Sequence, residues 1–201
     1  SENIFNRIAV TLSFSLGTLA LPYSTLFYNY MPALLLCFCA FLLVENCVKH
    51  RSFSAFRLIT TGFLLSSATI TQYDTGIIGF CIAVYALFKM EKKSGLVYIA
   101  LGALPPLLLL AAYNNACFGN PFTLGLSRLE ASSDPRYNQL VKSGSLGLKL
   151  PSPRALLTIL FQPGRGIFWL SPFLVFSLPG FVAFARKKET RATAAVFLAV
   201  V

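Results

Sequence analysis

From Tyr30 to Val48 the chain is almost continuously apolar, over close to the ~20 residues that an α-helix needs to cross the hydrocarbon of a bilayer. Runs of similar character recur at 8–21, 56–72, 75–90, 95–113, 166–185 and 192–201, separated by short polar or basic links. This recurrence constrains the fold more than any motif, because helices apolar on every side must be covered by protein or lipid. Composition agrees: hydrophobic residues make up 56% and charged residues 12%, where a soluble domain carries roughly a quarter charged. The expected fold is all-α, a polytopic transmembrane bundle of about six to seven membrane helices. A long outer-face loop at 114–165 is expected to contain a short interfacial helix. The chain opens at Ser1 and stops at Val201 inside the apolar TAAVFLAVV, so it is expected to be an internal piece of a longer protein with a single membrane domain.

Proline marks several of the expected breaks. The first run is closed by Pro22, which lacks an amide donor and clashes with the preceding turn. Pro105 and Pro106 are expected to kink the span at 95–113, and Pro172 and Pro179 stand in the span at 166–185. Ser152 before Pro153 is a helix-start signal. The apolar piece that follows, Arg154 to Gln162, is stopped by Pro163-Gly164; it is too short to cross and is expected to lie along the interface.

The net charge of +10 is not the mark of a nucleic-acid binder here, because the basic residues cluster beside apolar runs. The links at 48–57, 89–93 and 186–191 hold Lys49, Arg51, Arg57, Lys89, Lys92, Lys93, Arg186, Lys187, Lys188 and Arg191, whereas those at 22–29 and 72–75 hold no Lys or Arg. The basic set is therefore expected in the cytoplasm. Alternation then places 22–29, 72–75 and the long loop together on the outer face. That loop carries six of the 17 basic residues, Arg128, Arg136, Lys142, Lys149, Arg154 and Arg165, and is rich in Gly, Pro, Asn and Ser.

On this shared face several residues have two readings. Asp74, at the hairpin tip, either caps the next helix or is a functional carboxylate. Arg165 stands between two glycines, where its planar fork suits phosphate, or it snorkels to lipid headgroups. Arg128 and Arg136 are either phosphate contacts or solvated loop charges. Tyr23, Phe27, Tyr28 and Tyr30 either form an interfacial aromatic belt or offer faces for sugar stacking. His50 falls among the basic links and is a poor catalytic candidate. Cys37, Cys39, Cys47, Cys81 and Cys117 read as small packing residues, and no metal-ligand spacing occurs.

The stretches GTLALPYS (Gly17 to Ser24), TQYD (Thr71 to Asp74), Tyr113-Asn114, FGNPF (Phe118 to Phe122) and PGRGIFWLSP (Pro163 to Pro172) resemble the polytopic GT-C glycosyltransferases. The nearest resemblance is to the bacterial branch related to protein mannosyltransferases and aminoarabinose transferases. It implies a multi-pass enzyme of the bacterial cytoplasmic membrane that takes a sugar from a polyprenyl-phosphate donor at the outer face. Arg165, with Arg128 and Arg136, would contact the donor phosphate. Asn114 and Asn120 would join Tyr23 and Tyr28 as substrate contacts. Membrane lipids are the further expected partners, and no cofactor is implied.

The family's acidic catalytic pair belongs to its first outer loop. No Asp-Asp or Asp-Glu pair occurs in the 201 residues, so that loop is expected upstream of Ser1, Asp74 is a weak catalytic candidate, and residues 1–201 alone are expected not to turn over substrate. Gln72 stands where relatives often carry a lysine, so that lysine's donor contacts do not transfer. A transporter or flippase, or a non-catalytic membrane scaffold, is the alternative. Against a transporter, no internal repeat is present and ionisable residues are almost absent from mid-span.

Charge asymmetry yields a topology prediction. A cysteine placed at Ser145 should react with a membrane-impermeant maleimide applied from outside, and one at Ser52 should not. The reverse pattern would overturn the orientation.

Overall fold

The computed structural model describes residues 3–26, 28–50, 54–90, 93–123, 152–164, 166–187 and 190–200, and every regular element among them is an α-helix. In chain order these are α1 (Ile4–Gly17), α2 (Ala20–Thr25), α3 (Tyr30–Lys49), α4 (Ala55–Thr71), α5 (Thr75–Lys89), α6 (Gly95–Phe118), α7 (Pro153–Phe161), α8 (Ile167–Leu170), α9 (Leu174–Arg186) and α10 (Arg191–Val200). Two of them, α3 with 20 residues and α6 with 24, are long and apolar enough to cross a membrane. Helices α1, α5 and α9 are apolar but only 14, 15 and 13 residues long. At 1.5 Å per residue each comes to about 20 Å, short of the ~30 Å hydrocarbon layer.

The centre of the bundle is α4, which packs on α3, α5 and α6. It carries six hydroxyl residues in 17 positions and would be a poor apolar helix were those groups left open. The hydroxyls of Thr60, Thr61, Ser66, Thr69 and Thr71 donate to carbonyls one turn earlier, at 2.9–3.0 Å. Satisfied in this way, they cost little to bury. The contact with α6 is made backbone to backbone: a Cβ on Gly62 would collide with the Ile99 carbonyl, and one on Gly102 with the Ile59 carbonyl. Both helices start from basic links, and Leu58 lies by Gly95 near their first residues, so the two run parallel. Pro106 removes the donor to the Gly102 carbonyl, yet α6 continues through both prolines.

Small residues face inward on α3 as well. Its buried positions are Ala33, Cys37, Ala40, Phe41, Val44 and Cys47, at helical spacing. Its large apolar side chains point outward, with Leu35 61% and Phe38 52% exposed; on α6 Leu108 is 64% and Leu109 70% exposed. A water-soluble helix bundle places its leucines the other way round. Small-in and large-out suits helices that approach closely in an apolar surrounding.

The links sort into two ends. The basic end joins α3 to α4, α5 to α6 and α9 to α10, and the opposite end carries Tyr30, the 72–74 tip and the exit from α6. At the basic end the Tyr85 hydroxyl donates to Glu45 Oε2 at 2.5 Å and lies 3.4 Å from Thr193 Oγ1, which ties α3, α5 and α10 together. The five cysteines are free.

Three boundaries differ from the sequence reading. The first run breaks at Thr18 and Leu19 rather than at Pro22, which sits in the first turn of α2, where its missing amide would have had no partner. Asn114 belongs to α6 rather than to the loop, because no breaker intervenes before Gly119, whose φ of 72° ends the helix. The span expected at 166–185 is two helices, α8 and α9, parted at Ser171 and Pro172. Ser152 does start α7, its Oγ accepting the Ala155 amide at 3.1 Å.

The α4–α6 contact should set stability. Gly62→Val, which forces the backbones apart, should cost about 1–3 kcal/mol, read as a lowered melting temperature in detergent. Gly180, within α9, has open space around it, and Gly180→Ala should be neutral or stabilising. Equal melting of the two variants would show that the α4–α6 contact is not what holds the bundle.

Candidate functional site

At the end opposite the basic links, α1 and α2, the starts of α3 and α5, and the α8–α9 corner enclose a cavity of about 700 Å³. That is the size range of pockets for small molecules. Its lining includes Tyr23, Tyr30, Asp74 and Thr75, and is otherwise largely apolar, with Phe14, Leu34, Ile78 and Leu174 among its walls.

The corner that closes the cavity is held by polar bonds. Ser171 is 1% exposed, and its Oγ accepts the Leu19 amide at 3.0 Å, across 152 residues of sequence. The Ala20 amide donates to Thr18 Oγ1 at 3.2 Å, so the α1–α2 break has its donors satisfied. Phe173 fills the space that a side chain at Gly17 would need. At the entrance to α8, Gly164 has φ 79°, and the Trp169 indole N–H donates to the Phe161 carbonyl at 3.1 Å.

Asp74 does not cap α5. A capping residue has extended backbone, but Asp74 has φ −65° and ψ −24° and makes no side-chain capping bond. The tip is stitched instead by Thr75, buried, whose hydroxyl donates to the Gln72 carbonyl at 2.8 Å, and by successive tight backbone bonds from 75 to 77. Asp74 is exposed, is among the residues lining the cavity, and has no ion-pair partner among the described residues.

Tyr23, Tyr28 and Tyr30 pack against one another, with ring centroids 5.7, 5.9 and 6.1 Å apart. Tyr23 and Tyr30 line the cavity, and Tyr28 braces both from outside it. The other predicted contacts lie elsewhere. Asn114, 2% exposed, donates to the Pro121 carbonyl at 3.3 Å, and its Oδ1 has no partner among the described residues. Asn120 closes a turn by accepting the Phe122 amide at 2.9 Å. Neither lines the cavity. Arg128, Arg136, Arg165 and Phe27 lie outside the described residues. Among the described residues no group of His, Cys, Asp and Glu is placed to hold a metal ion.

Two features escaped the sequence reading. Ser171 lies in a run read as one helix, and its partner is too distant in sequence to be inferred. Glu45 had a signal: it is the one carboxylate within the apolar run of α3, and ionisable groups at such positions warrant a named partner, here Tyr85. No family model, curated protein or solved structure matches the chain.

If Asp74 capped α5, its removal would cost about 1 kcal/mol. Because it does not, Asp74→Ala should leave the melting temperature of the protein unchanged. A drop of several degrees would restore the capping role.

Proposed function

We propose that this protein is a multi-pass membrane glycosyltransferase of the GT-C type. In this reading it moves a sugar from a polyprenyl-phosphate donor to an acceptor at the outer face of a bacterial cytoplasmic membrane. The observation that carries the reading is the cavity, where the 22–30 link, the hairpin tip and the α8–α9 corner come together at the end away from the basic links. These are three of the stretches on which the family resemblance rests. The outward leucines of α3 and α6 support a lipid surrounding. Six to seven spans follow if the shorter apolar helices cross with neighbours and links completing their length.

In the proposed reaction an acceptor hydroxyl attacks the anomeric carbon. The new carbon–oxygen bond forms as the bond from that carbon to the lipid phosphate breaks, and the hydroxyl proton passes to a carboxylate. That base is assigned to the acidic pair of the family's first outer loop. Asp74 stands on the acceptor side, where the cavity orients the incoming molecule. Cations meet the phosphate as its charge develops, and Arg165 is the proposed contact, beside the α8–α9 corner in sequence.

In the full-length protein, Arg165→Ala should weaken donor binding by about tenfold to a hundredfold, the loss of a charge-assisted hydrogen bond of ~1.5–3 kcal/mol. Arg165→Lys should weaken it less. Arg154 lies on α7, exposed, and Arg154→Ala should leave donor binding unchanged. Binding and transfer of a radiolabelled polyprenyl-phosphate sugar in proteoliposomes would measure both. Absence of any donor binding or transfer would refute the proposed activity.

A further inference from the structure

The cavity has a charge sign of its own. Among the described residues its lining includes one carboxylate, Asp74, and the rings of Tyr23 and Tyr30, and no Lys, Arg or His. Asp74 is spent neither on a helix cap nor on an ion pair among the described residues. An aromatic ring presents a negative face, so all three groups suit a positive charge. The rest of the described lining is largely apolar and suits a hydrocarbon chain better than a polar sugar or a phosphate.

We infer that the cavity binds an ammonium group carried at the head of an apolar chain, with the ammonium against Asp74 and the Tyr23–Tyr30 rings. Tyr28 holds those two rings in place by packing on both, at 5.7 and 6.1 Å. The inference deepens the proposed activity and rests on it for its meaning, since it makes the acceptor an amphiphile that carries an ammonium group as well as the reacting hydroxyl. Its sign separates the two substrates: the anionic donor head is left to arginines, and the cationic acceptor head to the cavity.

The test is calorimetric titration of the full-length protein, in a nonionic detergent, with octyltrimethylammonium, octyl sulfate and tetramethylammonium. Partition into micelles is common to all variants, so differences between variants report the site. The expected result is saturable binding of octyltrimethylammonium, weaker binding of tetramethylammonium, and none of octyl sulfate. Asp74→Asn should weaken octyltrimethylammonium by about fivefold, and Tyr30→Leu by about threefold, each without a change in melting temperature. Equal binding of octyl sulfate, or binding unaltered in a folded Asp74→Asn protein, overturns the inference. Retained ammonium binding in a protein that transfers no sugar would remove the transferase reading and leave this one standing.

Discussion

Gly62 and Gly102 let two helix backbones touch, and the arrangement of the other elements depends on that contact. In an apolar surrounding there is little to gain from pressing one leucine face on another, because lipid covers leucine as well as protein does. What remains is close packing and the internal satisfaction of polar groups. Helix α4 shows both: a glycine where α6 crosses, and hydroxyls folded back onto its own carbonyls. With α4 and α6 in register, the Gln72–Asp74 tip and the exit of α6 share one end of the bundle. The basic links are gathered at the other.

Glu45 and Tyr85 follow the same rule of satisfaction in a different form. A carboxylate in the last third of an apolar helix would be costly to leave bare. The Tyr85 hydroxyl has a single proton, and the 2.5 Å bond gives it to Glu45. Thr193 must then act as the donor if it contributes to the group, since the tyrosine oxygen keeps only acceptor capacity. The bond thus links helices whose positions in the chain are far apart.

Local rules were legible in the sequence wherever a single segment decides the outcome. The length of the Tyr30–Lys49 run and the Ser152-Pro153 start both follow from nearest neighbours. Proline misled at Pro22 because the rule depends on position: the same ring that breaks a helix interior is harmless in a first turn. Asn114 was read as loop from its polarity, although the helix runs on to Phe118 and the backbone takes a positive φ only at Gly119. The cavity was legible only in part. Charge alternation put its links on one face, but the Leu19–Ser171 bond, which makes them walls of one space, has no signature in either segment.

Asp74 shows how the backbone decides what a side chain can be used for. The tip turns tightly enough that residue 74 is already helical, so its carboxylate cannot fold back onto the amides of α5. Thr75 takes over the tip by bonding to Gln72. Asp74 is left among the residues lining the cavity, together with tyrosine rings that also favour a cation and walls that favour hydrocarbon. The one charge in the described lining is therefore of the sign that attracts a cation and repels an anion.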